Sequence, residues 1–181
     1  MKDCLDALLE LCALDRLPRT GWIQHGVATP ESIAGHALGA AHLALALAPR
    51  IEPAPAVDRV VALCVVHDSP EARTGDLPRP AARALPAGAK ERMETAAADG
   101  LLTPLSPTAR ALFEEYRAGA TREARLAHLC DKLQLGVRLV HYRRAGQGGL
   151  EHFVPGLEEL DCGEFPAAEA LRQEILQALL N

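Results

Sequence analysis

Residues 60–71 read Val-Val-Ala-Leu-Cys-Val-Val-His-Asp-Ser-Pro-Glu, and this stretch decides the fold. From about Ala56 to Val66 the segment is apolar nearly all round, the pattern of a helix buried on every side, so it predicts a central helix closing on His67-Asp68. Ser69-Pro70-Glu71 then repeats a cap-plus-proline signal, and the chain is expected to turn and start a short new helix. An ionisable dipeptide at the end of a buried helix costs several kcal/mol unless it has a partner. A divalent cation would be one, since imidazole nitrogen and carboxylate oxygen both ligate first-row metals. The plainer alternative is an exposed His interacting with the helix macrodipole, and for this dipeptide alone that reading is favoured.

Working outward, further helices follow from periodicity and punctuation. About Asp3 to Arg16 carries Leu5, Leu8, Leu9, Cys12 and Ala13 at helical spacing, predicting one buried face and a stop at Pro18. Leu17 to Thr29 holds two Gly, one Pro and the only Trp, and reads as a loop whose exposed residues are binding candidates. Thr29-Pro30-Glu31 signals a helix start, with an end at about Ala48 before Pro49. Gly75-Asp76 with Pro78 and Pro80 reads as an ordered loop, followed by weaker helices over about Ala87 to Leu101 and Ser106 to Ala118. Thr121 caps a long helix with Ala124, Leu126, Leu129, Cys130, Leu133, Val137 and Val140 as its stripe. Leu150 to Pro166 reads as irregular with one helical turn, and Ala167 to Leu180 as a last amphipathic helix. Nothing reads as a strand pair, so the expectation is all-α: one helical domain over 1–181, with its metal-binding core at about 29–145.

Composition agrees. Hydrophobic residues make up 49% and aromatics only 3%, with Ala and Leu prominent, which favours helices over sheets. At 181 residues the chain can bury a core without a staple, so a metal would be catalytic before structural. The net charge of −5 argues against a nucleic-acid polymer as partner, which needs clustered Lys and Arg. A small phosphorylated ligand stays open. Five cysteines in no zinc-like spacing read as reduced, and with no 18-residue apolar run a membrane span is not expected. The expected compartment is the cytoplasm.

Two features tip the His-Asp dipeptide towards a metal. His36 falls in the middle of an Ala- and Leu-rich helix, and Asp131 lies beside Cys130 in the long helix. Three helices thus contribute four ligand-type residues in the order His, His-Asp, Asp. Here the sequence resembles the HD-domain superfamily of metal-dependent phosphohydrolases, in which all four bind a divalent cation (Mn, Co, Fe or Mg) and leave positions for water and substrate phosphate. More narrowly, Pro18-Arg19-Thr20-Gly21-Trp22, Pro30-Glu31-Ser32, His67-Asp68-Ser69-Pro70-Glu71, Thr74-Gly75-Asp76, Glu114-Glu115-Tyr116 and Asp131-Lys132 are similar to the HD-domain 5′-deoxynucleotidases.

That resemblance implies His36, His67, Asp68 and Asp131 as metal ligands, with Glu71 and Asp76 as catalytic acids managing protons. The bland alternatives are a first-turn acid worth roughly 0.3 to 1 kcal/mol for Glu71 and a turn residue for Asp76. Arg19 and Trp22 fit substrate binding, an Arg forking onto phosphate and an indole covering a sugar or base. Gly21 stands where some relatives carry an Arg. Lys132 is a further phosphate candidate, with a solvated helix Lys as its alternative. Gly35 stands where relatives often carry an acid, and the run Ala37-Leu38-Gly39-Ala40 is smaller than usual. His42 is expected to be structural, His128 to lie on Asp131's side, His25 to be an outside candidate for a substrate contact, and His141 and His152 to be surface residues.

The implied reaction is hydrolysis of a deoxyribonucleoside 5′-monophosphate. The alternatives are another HD phosphohydrolase acting on a nucleoside triphosphate, cyclic nucleotide or alarmone, or a nucleotide-binding module without turnover. The resemblance also implies a homodimer, for which the apolar C-terminal helix would suit an interface.

Overall fold

A computed structural model of the chain describes residues 1–180, and among these no β-strand occurs. Eleven α-helices follow in order: α1 (Lys2–Leu11), α2 (Thr20–Gln24), α3 (Ile33–Leu47), α4 (Val57–Val66), α5 (Glu71–Thr74), α6 (Arg79–Ala84), α7 (Ala89–Leu105), α8 (Pro107–Ala118), α9 (Arg122–Arg144), α10 (Val154–Glu158) and α11 (Pro166–Leu180). Short 3₁₀ turns lie at Cys12–Asp15, Ala48–Arg50 and Glu151–Phe153. No helix of the described residues is long and apolar enough to cross a membrane.

Helices α3, α4 and α9 pack on one another to form the centre. Their shared core includes Ala40, Ala44 and Leu47 of α3, Val60, Leu63 and Cys64 of α4, and Leu126, Cys130 and Leu133 of α9. The expected central helix is therefore α4, although Val65 points outward. Side-chain caps set two of the helix starts, the one at Thr121 as the sequence implies. Thr121 Oγ1 accepts from the Ala124 amide to begin α9, and Ser106 Oγ accepts from Ala109 to begin α8.

Several expectations need correction. The apolar stripe of α1 does not face the core: Leu5 and Leu9 are 56% and 62% exposed, and only Ala7 is buried. Hydrophobic period marks a sided helix but not which side is covered. The third helix is capped by Ser32, whose Oγ accepts from Gly35, and not by Thr29. The reason is that Pro18 and Ser32 form an isolated antiparallel bridge, with Arg19 and Ile33 amides donating to the Glu31 and Leu17 carbonyls, which holds the start of the segment extended. That helix also runs on through Pro49 as a 3₁₀ turn. Leu17 to Thr29 is no open loop, because α2 forms within it and carries Trp22 inward. The C-terminal helix buries Ala168, Ile175 and Leu179 inside the protein, beside α9 and α10, and leaves Leu180 exposed.

One glycine on α9 is required by close approach. A Cβ on Gly136 would meet Ile175 Cγ2 and Leu157 Cδ2 at 3.0 Å, so its absence lets α10 and α11 seat against the long helix.

Candidate metal centre

The end of α4 delivers His67 and Asp68 to a point where α3 supplies His36 and α9 supplies Asp131. His36 Nε2 lies 3.3 Å from His67 Nε2, 3.0 Å from Asp131 Oδ1 and 3.7 Å from Asp68 Oδ2. His67 Nε2 lies 3.1 Å from Asp68 Oδ2. Ligand atoms of His36, His67 and Asp68 all fall within 4.8 Å of one another. The four residues singled out in the sequence thus converge, with His36, His67 and Asp131 buried.

The donor set fits a divalent cation. Two imidazole nitrogens at 3.3 Å leave no room for a proton on each. The His67 ring gives its Nδ1 to the Cys64 carbonyl at 2.7 Å, which can only accept, so its neutral tautomer presents a bare Nε2 to the cluster. Burial disfavours charge on His67, but the Asp68 and Asp131 carboxylates outweigh it and raise the imidazole to about 9. Burial likewise opposes the Asp68 carboxylate, and His67, Arg19 and His36 hold it well below the usual range. Burial opposes the Asp131 carboxylate too, and the Lys132 ammonium leads the charges that hold it low. Two carboxylates kept ionised in a buried pocket call for positive charge among the imidazoles.

Around this cluster the remaining candidates take distinct places. Arg19, in the turn before α2, sends Nη1 to Asp68 Oδ2 at 3.1 Å, Asp76 Oδ1 at 3.0 Å and Glu71 Oε2 at 3.8 Å. Burial works against its charge, but Asp68 and Asp76 lead the acids that raise its pKa still further. Asp76 also accepts the Thr20 amide on Oδ2, while its carbonyl accepts the Thr20 hydroxyl, so the loop after Gly75 is stitched to the start of α2. Gly75 at φ +71° makes that turn in the left-handed region that suits glycine. Glu71 stands one helical turn beyond His67, its Oε2 buried with no hydrogen-bond partner. Burial first, then the Asp68 charge, pushes its carboxyl up to about 10. Lys132 Nζ reaches Asp131 Oδ2 at 2.6 Å and is otherwise half-exposed.

Trp22 is a correction. Its indole is only 2% exposed, packs against Tyr142 and Phe153, and donates Nε1–H to Glu31 Oε1 at 3.0 Å. With both face and N–H engaged inside, it shapes the floor of the Arg19 turn and does not cover a ligand. His42 lies exposed on α3, contrary to a structural role. His25 stacks on His152 at 4.9 Å, and His128 bonds the Tyr116 carbonyl.

Sequence reasoning gave no role to Tyr116 and Glu31, which it quoted only within the stretches carrying the resemblance, and it missed Gln134 and Arg138: the Tyr116 hydroxyl donates to Asp131 Oδ2 at 3.3 Å, and Gln134, Glu31 and the half-buried Arg138 form a polar chain behind His36. Spacing held the signal for two of them: Gln134 and Arg138 follow Asp131 at three and seven residues, on one face of α9. Glu31 was hidden by its plausibility as a first-turn acid.

The chain resembles known proteins over most of its length. Residues 13–155 match a family model described as HD domain. A 5′-deoxynucleotidase of Schizosaccharomyces pombe, hdd1, is 32% identical over 180 residues, covering 94% of this chain and 83% of the relative. The human 5′-deoxynucleotidase HDDC2 is 31% identical across 71% of this chain, which spans 63% of that relative's length. A protein of Pyrococcus horikoshii with a crystal structure superposes with a TM-score of 0.84 at 28% identity, covering 96% of this chain and 99% of the other.

Proposed function

The chain belongs to the HD domain family, and on that premise we propose that it is a metal-dependent phosphomonoesterase acting on deoxyribonucleoside 5′-monophosphates. The observation that carries the reading is the meeting of His36, His67, Asp68 and Asp131 from three helices, with a buried Glu71 oxygen that has no hydrogen-bond partner beside them. The substrate class rests on the relatives named as 5′-deoxynucleotidases.

His36, His67, Asp68 and Asp131 would hold the cation. Two imidazoles in the set favour a transition dication such as Mn, Co or Fe over Mg, which prefers all-oxygen ligands. When bound, such an ion polarises a phosphate oxygen and makes water a better nucleophile. Glu71, in reach of that space and free of any hydrogen-bond partner, takes a proton from the attacking water. Its carboxyl is neutral in the absence of a cation, and extra positive charge beside Asp68 lowers its pKa, so metal binding and ionisation of the base go together. Arg19 meets the acids through Nη1 alone among the described residues, which leaves the rest of its donor fork for a phosphate oxygen. Asp76 then positions Arg19 and the Thr20 amide, and Lys132 adds a cation at the open side of Asp131.

The test is phosphate release from a panel of deoxy- and ribonucleoside 5′-monophosphates, with Mn, Co, Fe or Mg added in turn to metal-free protein. Release from deoxy substrates that disappears in Asp68→Ala supports the proposal. Intact substrates with every metal, from protein that binds metal tightly, would move the function to another phosphoester or to binding without turnover.

A further inference from the structure

Behind His36 lies a polar chain that the reaction itself does not use. Arg138 Nε donates to Glu31 Oε2 at 2.8 Å, Gln134 Nε2 donates to the same oxygen at 2.7 Å, and Gln134 Oε1 meets His36 Nδ1 at 2.5 Å. Glu31 Oε1 receives the Trp22 indole. Glu31 and Gln134 are 8% and 4% exposed, so neither can exchange its partners for bulk water cheaply.

Donor and acceptor identities settle the direction of every bond. Arg and Trp can only donate, so Glu31 is a pure acceptor. The group of Gln134 that faces it must therefore be the NH₂, which turns the amide oxygen to His36. An amide oxygen only accepts, so the His36 proton must sit on Nδ1. In the neutral ring Nε2 is then a bare lone pair, aimed at His67, Asp68 and Asp131. The opposite amide orientation is excluded, because it would set NH₂ against the ring and oxygen against the Glu31 carboxylate.

We propose that Gln134, oriented by the Glu31–Arg138 ion pair, is a positioning residue that fixes the metal-ready tautomer of His36. Gly39 belongs to the same device. A Cβ at that position would come within 2.9 Å of both Cγ and Nε2 of Gln134. The small residue three positions after His36 is what admits the amide. The proposal rests on the cluster's role as a metal site and is independent of which phosphoester is hydrolysed.

The experiment reads the tautomer without any metal or substrate. Long-range ¹H–¹⁵N spectra of ¹⁵N-histidine-labelled, chelator-treated protein distinguish a protonated Nδ1 from a protonated Nε2, at a pH where the titration of His36 itself shows the ring neutral. Wild type should show His36 as the Nδ1–H tautomer. Gln134→Met, similar in length but without the amide, should lose that preference and weaken Mn²⁺ binding by roughly 10- to 100-fold, the usual cost of losing an outer partner of a metal-ligating His. Gly39→Ala, which crowds the amide without deleting it, should move both readouts in the same direction. A wild-type His36 protonated on Nε2 overturns the proposal whether or not the variants fold. So does a folded Gln134→Met protein with unchanged tautomer and Mn²⁺ affinity. Absence of nucleotidase activity in wild type, with the His36 tautomer and Mn²⁺ binding as described, would count against the substrate reading and not against this one.

Discussion

Arg19 and Asp76 are joined twice: the guanidinium Nη1 donates to Oδ1 at 3.0 Å while the amide of the next residue, Thr20, donates to Oδ2 at 2.5 Å. The bond pair fixes a side chain and a backbone at once, tying the turn before α2 to the loop after α5. It also puts a permanent positive charge where three carboxyl groups, those of Asp68, Glu71 and Asp76, crowd together.

Removing that charge should expose how the acids depend on it. With Arg19→Ala, metal-free protein should lose about 2–3 kcal/mol, somewhat below the usual loss for a broken buried pair because the side chain keeps partial solvent access. Added Mn²⁺ should then raise the melting temperature more in the variant than in wild type, since the cation restores the missing compensation. Equal shifts in the two proteins would contradict this.

Glu71→Gln separates proton transfer from structure. Turnover should fall about 10²- to 10⁴-fold, the typical share of a general base, while Mn²⁺ still binds but loses the gain in affinity with rising pH that ionisation of Glu71 supplies. The stability of the metal-free proteins should diverge with pH. The folded value of about 10 lies above the ordinary 4.5, so the folded state holds this proton more tightly than the unfolded chain does. Its contribution is full below the unfolded value and is lost as pH rises through the folded one. Denaturant melts in chelator should therefore show wild type losing stability relative to Glu71→Gln between about pH 5 and pH 10, and parallel curves would count against a raised carboxyl.

Thiol labelling should follow burial. Cys12 is exposed and should react first with an alkylating reagent in native protein, then the half-buried Cys4. Cys64, Cys130 and Cys162 are buried, and the Cys64 thiol is pushed far up by its bond with Cys130 and by burial. These three should react only after unfolding, as mass spectrometry of modified peptides would read. Fast native labelling of Cys64 would mean that α4 and α9 part readily.

Gly136→Leu should overpack the seam of α9 with α10 and α11, costing about 1–3 kcal/mol. Since the seam lies away from His36, His67, Asp68 and Asp131, the folded fraction should still bind Mn²⁺. A variant as stable as wild type in denaturant would contradict the close approach of Ile175 and Leu157 to this position.

How much of the molecule is legible in its sequence depends on the residue. The buried α4 and its closing His67-Asp68 are readable because an all-round apolar helix that ends in two ionisable groups must find compensation for them. His36 and Asp131 are readable by the same contrast of a polar residue in an apolar helix. The cap at Thr121 depends on a local bond and is visible for that reason. The fate of Trp22 is not, since Gly and Pro around it indicate a turn but not that Glu31, nine residues on, takes its N–H. The exposed α1 stripe escapes too, because periodicity carries no information about which neighbour covers a face. Gln134 is legible only in part: its spacing from Asp131 puts it on the same face of α9, but its bond to His36 exists only once α3 and α9 are side by side.

The most direct measurement is a metal titration of phosphate release. Metal-free protein with excess deoxyribonucleoside 5′-monophosphate is given increasing Mn²⁺, in parallel with Asp131→Ala. Phosphate release should rise to a break at a single equivalent per chain in wild type and should not rise in the variant. Phosphate release that is independent of added metal and survives in Asp131→Ala would contradict a catalytic metal held by His36, His67, Asp68 and Asp131.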